Sequence, residues 1–207
     1  MTCLKKITVG KWNVNTYFII KNYESWIIDP GDEFNRINEF LISEKLKIKG
    51  ILVTHAHFDH IGAVQELRKT YNIPFYLHSK EKKNLLKANF YKAFVGGDKN
   101  KIIIPEIDIY LDNVKYLELS DTKIEIIHTP GHSAGEMSFV VDNNIFIGDL
   151  IIGKNAGRSD LPYADNVLLK NSINLLFEKY NGYTAYPGHG EKFIINKNFI
   201  NSIVRDL

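Results

Sequence analysis

Short hydrophobic runs broken by polar and turn residues fill much of the first 30 residues. Lys6-Ile7-Thr8-Val9, Thr16-Tyr17-Phe18-Ile19-Ile20 and Ser25-Trp26-Ile27-Ile28 are rich in β-branched and aromatic residues, the signature of short strands. Asn22 separates the second from the third, and Pro30-Gly31 ends the third. The spacing of Ile37, Phe40 and Leu41 predicts a helix to about Leu46. Gly50-Ile51-Leu52-Val53-Thr54 reads as a strand buried on both faces, which implies a sheet covered by helices. Ile61, Val64, Leu67 and Tyr71 then predict one amphipathic helix. Pro74 to Leu77 is another strand, and Ser79 is placed to cap a helix from Lys80. Between Ala88 and Lys101 no period dominates, and Gly96-Gly97 marks a loop.

Strands return over Ile107–Leu111, Val114–Leu117, Lys123–Ile127, Met137–Val141 and Ile145–Ile147, with a turn at Asp142-Asn143-Asn144. A helix over Asn166–Tyr180 sets Leu169, Ile173, Leu176 and Tyr180 on one stripe. Thr184 to Tyr186 forms a last strand, and Asn198 to Arg205 a short helix. This mixture describes an α/β protein. Its 207 residues contain no Pro/Gly/Ser-rich linker, so one domain over 1–207 is expected.

Composition narrows the function classes. Lys and Arg number 26 against 24 Asp and Glu, a net +2 that gives no electrostatic footprint for nucleic acid or an anionic membrane. Cys3 is the single cysteine, so no intrachain disulfide can form. The apolar run near the N-terminus is too short for a signal peptide, and no run approaches membrane-spanning length. A cytoplasmic protein without nucleic-acid or membrane partners is expected.

The chemistry concentrates in His55-Ala56-His57-Phe58-Asp59-His60. Three of these six residues are histidine, in a chain with seven, and they sit where a buried strand meets a helix. Imidazole and carboxylate are ligands that zinc, iron and manganese accept. So tight a turn is better matched to two adjacent metals than to one. Further candidates follow other strands: His132 after Thr129-Pro130-Gly131, Asp149 after Gly148, and His189 in Pro187-Gly188-His189-Gly190. Ligand sites of open sheets lie beyond strand carboxyl ends, and glycines beside them permit close approach. The runs Ile51–Gly62 and Ile124–Gly135 share an outline, strand then histidines then glycine, which suggests two strand ends delivering histidines to one place.

The ordered set H-x-H-x-D-H, T-P-G-H-S, G-D and P-G-H-G resembles the metallo-β-lactamase fold superfamily over essentially the whole chain. That resemblance implies a four-layer αββα sandwich. It implies one divalent ion, zinc with iron or manganese as alternatives, on His55, His57 and His132. A second would sit on Asp59, His60 and His189, with Asp149 bridging. Gly157-Arg158-Ser159-Asp160 further resembles the G-R-x-D segment of glyoxalase II-like proteins, the hydroxyacylglutathione hydrolases. The implied activity is hydrolysis of an acyl-thiol such as S-lactoylglutathione by metal-activated water, with Asp59 orienting the nucleophile or taking its proton. Arg158, and more weakly Tyr163 and Lys154, are the expected substrate contacts. His128 is expected to support the site by hydrogen bonding, and His78 to be structural.

After His189 the chain departs from full-length glyoxalase II: 18 residues remain, and Glu191-Lys192-Phe193-Ile194 replace the usual continuation. A thioester other than a glutathione conjugate therefore stays open. Other branches remain as alternatives: an iron-dependent persulfide dioxygenase, a phosphodiesterase or lactonase, or a non-catalytic metal-binding scaffold. Class B β-lactamases fit less well, because their common site types change the positions of His60 or Asp149 and they are exported. Flavodiiron-type proteins carry Glu where this chain has His57.

Overall fold

The computed structural model describes residues 2–205. Strands β1 (Cys3–Val9), β2 (Val14–Lys21) and β3 (Glu24–Ile28) lead into α1 (Phe34–Ser43), β4 (Lys47–Leu52), α2 (Phe58–Ile61), α3 (Val64–Tyr71) and β5 (Phe75–Leu77). A 3-10 turn over Ser79–Glu81 precedes α4 (Lys82–Phe94), followed by β6 (Ile109–Tyr110), β7 (Tyr116–Leu119) and β8 (Thr122–His128). The chain continues through β9 (Met137–Val141), β10 (Asn144–Gly148), the small hairpin β11 (Ile151–Ile152) and β12 (Asn155–Ala156), and α5 (Asn166–Tyr180). It ends with β13 (Thr184–Pro187), β14 (Phe193–Ile194) and α6 (Lys197–Arg205).

Two six-stranded sheets result, ordered β1-β2-β3-β4-β5-β6 and β14-β13-β10-β9-β8-β7. The period-two alternation assigns their faces. Phe18, Ile27, Ile51 and Val53 pack outward against Ile37 and Leu41 of α1, Val64 and Leu67 of α3, and Leu85 of α4. Their sequence neighbours Tyr17, Ile19, Trp26, Ile28 and Leu52 turn inward and meet Ile124, Met137, Phe139 and Phe146 of the second sheet. The outer face of that sheet, including Val140, Ile145 and Ala185, is covered by Leu169, Ile173 and Leu176 of α5 and by Ile200 and Ile203 of α6. Three apolar interfaces thus separate four layers in the order helices, sheet, sheet, helices, the expected αββα sandwich. No helix among the described residues is long and apolar enough to cross a membrane.

The structure corrects three local expectations. Helix α1 stops at Ser43, because Lys45 adopts φ 52° and the Leu46 N–H bonds back to the Leu41 carbonyl at 3.1 Å. The helix expected over Ile61–Tyr71 is two helices, broken at Gly62-Ala63, where the Ala63 N–H bonds the Pro30 carbonyl at 3.0 Å. Ser79 does not cap α4; its N–H and hydroxyl bind Asp112, while the His78 ring accepts the Lys80 N–H at 3.2 Å.

Phe139 is fully buried between the sheets, so Phe139→Ala removes a large side chain that the layers cannot close around. A loss of about 3–5 kcal/mol in urea-induced unfolding is expected. Unchanged stability would mean that the two sheets are not held by this interface.

Candidate metal centre

All seven expected ligand groups stand at strand carboxyl ends or directly after them, at one edge of the two sheets. β4 leads into His55 and His57; the short α2 turns Asp59 and His60 back toward them. β8 leads through the Pro130-Gly131 turn to His132, β10 ends beside Asp149, and β13 ends two residues before His189. Hydrogen bonds tie the sheets together here. Asn15 N–H donates to the Gly188 carbonyl at 2.8 Å, Tyr17 Oη donates to the Pro187 carbonyl at 2.6 Å, and Met137 N–H donates to the Thr54 carbonyl at 2.9 Å.

Ligand atoms fall into three groups, each within 4.8 Å: His55–His57–His132, His55–His60–Asp149 and Asp59–His60–His189. Asp149 Oδ2 is central, 3.6, 3.7 and 3.5 Å from Nε2 of His60, His132 and His189. Asp59 Oδ2 is 3.3 Å from His189 Nε2. A tetrahedral ion with ligands at about 2.0–2.1 Å sets ligand atoms about 3.4 Å apart, so this spacing fits.

The far side of each ring decides which nitrogen is available. His60 Nδ1 donates to Asp29 Oδ2 at 3.0 Å, His132 Nδ1 to the Arg158 carbonyl at 2.8 Å, and His189 Nδ1 to the Trp12 carbonyl at 3.0 Å. Thr54 Oγ1 donates to Asp29 at 2.7 Å and accepts from His55 Nδ1 at 3.0 Å. All four Nε2 atoms are thereby turned to the centre, each with a lone pair in the neutral ring. The Nε2 atoms of His55 and His60 and Oδ1 of Asp149 are buried without hydrogen-bond partners, as cation-binding atoms would be. A Cβ on Gly188 would lie 2.3 Å from Asp149 Oδ1, so only glycine lets the chain pass this close. These residues fit a pair of divalent ions.

Electrostatics agrees with the ligand roles. Burial and the positive potential of His60, His57 and His132 hold His55 well below the usual imidazole range. Burial and His132 bring His57 down to about 4. Burial alone would lower His60, but Asp149, Asp29 and Asp59 around it raise it well above its ordinary value. Asp149 is lowered against the pull of burial, chiefly by His60.

Carboxylates that sequence patterning missed brace this cluster. Asp29 accepts from Thr54 N–H at 2.7 Å as well as from Thr54 Oγ1 and His60. Glu81 accepts from the N–H groups of Ala56 at 2.9 Å and Gly135 at 2.7 Å, so it joins the turns carrying His57 and His132. Glu136 accepts from the Asp149 N–H at 2.8 Å. The sequence signal for Asp29 was an acid after an apolar strand, the same one that pointed to Asp149; Glu81 and Glu136 carry no comparable signal.

A cavity of about 660 Å3 opens over the cluster, with His57, Asp59, His132, Asp149 and His189 in its lining. Arg158 also lines it, but its guanidinium is held by both carboxylate oxygens of Asp160, each at 2.9 Å. What the G-R-x-D segment supplies to the cluster is the Arg158 carbonyl that orients His132. Gly157 is required there because a Cβ would lie 1.8 Å from the Asp149 carbonyl oxygen. Tyr163 and Lys154, expected substrate contacts, are outside the lining: Tyr163 accepts from Lys87 Nζ at 2.9 Å, and Lys154 is exposed beyond β11. His128 touches none of the seven groups. It stacks on His78 with ring centroids 4.4 Å apart and donates to the Ala134 carbonyl at 3.1 Å, which steadies the turn that carries His132.

Comparison with known proteins decides the family. The model of the metallo-beta-lactamase superfamily matches residues 9–189. The chain belongs to the metallo-beta-lactamase superfamily. Among similar proteins is "Probable metallo-hydrolase YqgX" of Bacillus subtilis, 35% identical over 82% of this chain and 81% of that protein. "Hydroxyacylglutathione hydrolase GloC" of Haemophilus influenzae is 29% identical over 85% of this chain and 87% of its own. The crystal structure of BLEG-1 B3 metallo-beta-lactamase superposes with a TM-score of 0.86 at 35% identity, covering 93% of this chain and 94% of that one.

The carboxylates around His60 raise it and so favour its protonated ring in metal-free protein, and ligation through Nε2 displaces that proton. Zinc titrated calorimetrically in buffers of different ionisation enthalpy is expected to show net proton release that declines as pH rises through the His60 titration. Asp29→Ala, which frees the His60 ring, is expected to weaken zinc binding about 10–100-fold. Buffer-independent heats and unaltered affinity would contradict the assignment of His60.

Proposed function

We propose that this metal-dependent hydrolase cleaves thioesters. In this reading His55, His57 and His132 hold one divalent ion, Asp59, His60 and His189 hold a second, and Asp149 lies between them. The observation that carries it is the set of three ligand groups, sharing His55 and His60 and with Asp149 within 3.7 Å of His60, His132 and His189, at the floor of an accessible cavity. The similarity to GloC supports the thioester, since that relative is named a hydroxyacylglutathione hydrolase. Zinc is the proposed metal, with iron or manganese accepted by the same donors. A cytoplasmic location and a small-molecule substrate belong to the same proposal.

A dinuclear pair supplies a water of lowered pKa and a Lewis acid for a carbonyl oxygen. The protein's own residues do the rest. The outward hydrogen bonds of His55, His60, His132 and His189 fix four rings, so the centre is preorganised before substrate enters. Asp59 lines the cavity, and in this reading its carboxylate orients the attacking water and takes its proton. Hydrolysis forms the acyl C–O bond and breaks the C–S bond. The departing thiolate, whose conjugate acid has a pKa near ~8.5, needs no dedicated protein acid.

Hydrolysis of a β-lactam amide is the second reading, favoured by the likeness to BLEG-1. Metal content and kcat/KM on S-lactoylglutathione, a simple acyl thioester and a β-lactam separate the two. Chelator-sensitive thioester cleavage without oxygen uptake is expected, and Asp149→Ala is expected to lose metal and activity together. β-Lactam cleavage without thioester cleavage, oxygen consumption with glutathione persulfide, or full activity in metal-depleted Asp149→Ala would each overturn the proposal.

A further inference from the structure

The walls of the cavity differ in kind from its floor. Trp12 from the β1–β2 turn and Phe58 at the start of α2 form one side, ring centroids 5.8 Å apart and nearly perpendicular. Phe90 and Phe94 of α4 line another, stacked at 5.8 Å with planes 5° apart. Leu161 and Pro162, in the loop after β12, supply the facing edge. Phe90 and Phe94 are 63% and 79% exposed, so nothing within the described chain covers them. Aromatic surface grouped around a reactive floor is surface that a bound substrate would remove from water.

The charges at the cavity point the same way. Apart from the proposed metal ligands, Arg158 is the one charged side chain in the lining among the described residues, and its guanidinium is held by Asp160. Lys83 and Lys87 stand outside the lining, 5.7 and 5.5 Å from the centroid of the Tyr163 ring. A glutathione conjugate brings two carboxylates, and above the metal site the described lining offers them no Lys and no Arg outside the Arg158–Asp160 pair. We infer that the cleft selects thioesters with an uncharged, bulky apolar acyl chain, medium-chain alkyl or aryl, over glutathione conjugates of small hydroxy acids. This inference rests on the thioesterase reading and narrows its substrate class.

The test uses the metal-loaded protein and N-acetylcysteamine thioesters from acetyl to octanoyl, a phenylacetyl thioester, and S-lactoylglutathione. Each methylene seated against the aromatic wall is expected to raise kcat/KM up to about fourfold. The octanoyl and phenylacetyl compounds are expected to exceed S-lactoylglutathione. Phe90→Ser and Phe94→Ser are expected to lower the octanoyl-to-acetyl ratio of kcat/KM several-fold. That ratio is independent of the amount of folded enzyme. Thioester turnover with a flat chain-length profile, a preference for S-lactoylglutathione, or an unaltered ratio in both variants overturns the inference and leaves the thioesterase standing. No turnover of any thioester by protein carrying two metals overturns the thioesterase, and this assignment with it.

Discussion

Asp149 is a buried carboxylate that protein atoms alone do not satisfy. One of its oxygens has no hydrogen-bond partner, and the other faces three imidazole Nε2 atoms at 3.5–3.7 Å. Burying a charge without a partner costs several kcal/mol, and clustering imidazoles around it relieves that cost only by keeping some of them protonated. A pair of divalent cations removes both problems at once. The constraint reaches into the backbone: Gly188 and Gly157 lack a Cβ because the Asp149 side chain and carbonyl occupy that space. It reaches outward too, through Asp29, the Arg158 carbonyl and the Trp12 carbonyl, each of which holds the far nitrogen of one ring.

The centre is also a property of the seam between sheets. One sheet and its connections supply His55, His57, Asp59 and His60; the other supplies His132, Asp149 and His189. Asn15 and Tyr17 of β2 bind the carbonyls that precede His189, and Glu81 bonds to backbone on both sides. The inter-sheet core around Phe139 therefore sets ligand spacing as well as stability. A slip of one sheet against the other by a fraction of an ångström would alter distances that an ion's coordination sphere requires.

Where one physical demand dominated a segment, the sequence was readable. Strands β2, β3 and β4 each bury both faces, and their alternation separates the two apolar interfaces residue by residue. The histidine density at 55–60 had no packing explanation and marked the floor of the cleft. Where two demands overlap, the pattern blurs. Helix α4 buries Leu85 and Ala88 in the core while Phe90 and Phe94 line the cleft, so no single stripe marks the second half. Tyr163 and Lys154 were grouped with Arg158 by nearness along the chain, but the turns around them send only Arg158 to the cavity. Glu81 and Glu136 look like surface acids because burial of a lone carboxylate is decided by partners distant in the chain.

The central claim is that seven side chains enclose two ions that share Asp149. Anomalous diffraction at the metal edge, on crystals of the protein as purified, tests it most directly. The account predicts two peaks about 3.5–4 Å apart, one beside His55, His57 and His132 and the other beside Asp59, His60 and His189, with Asp149 reaching both. A single peak, or peaks remote from Asp149, would contradict it.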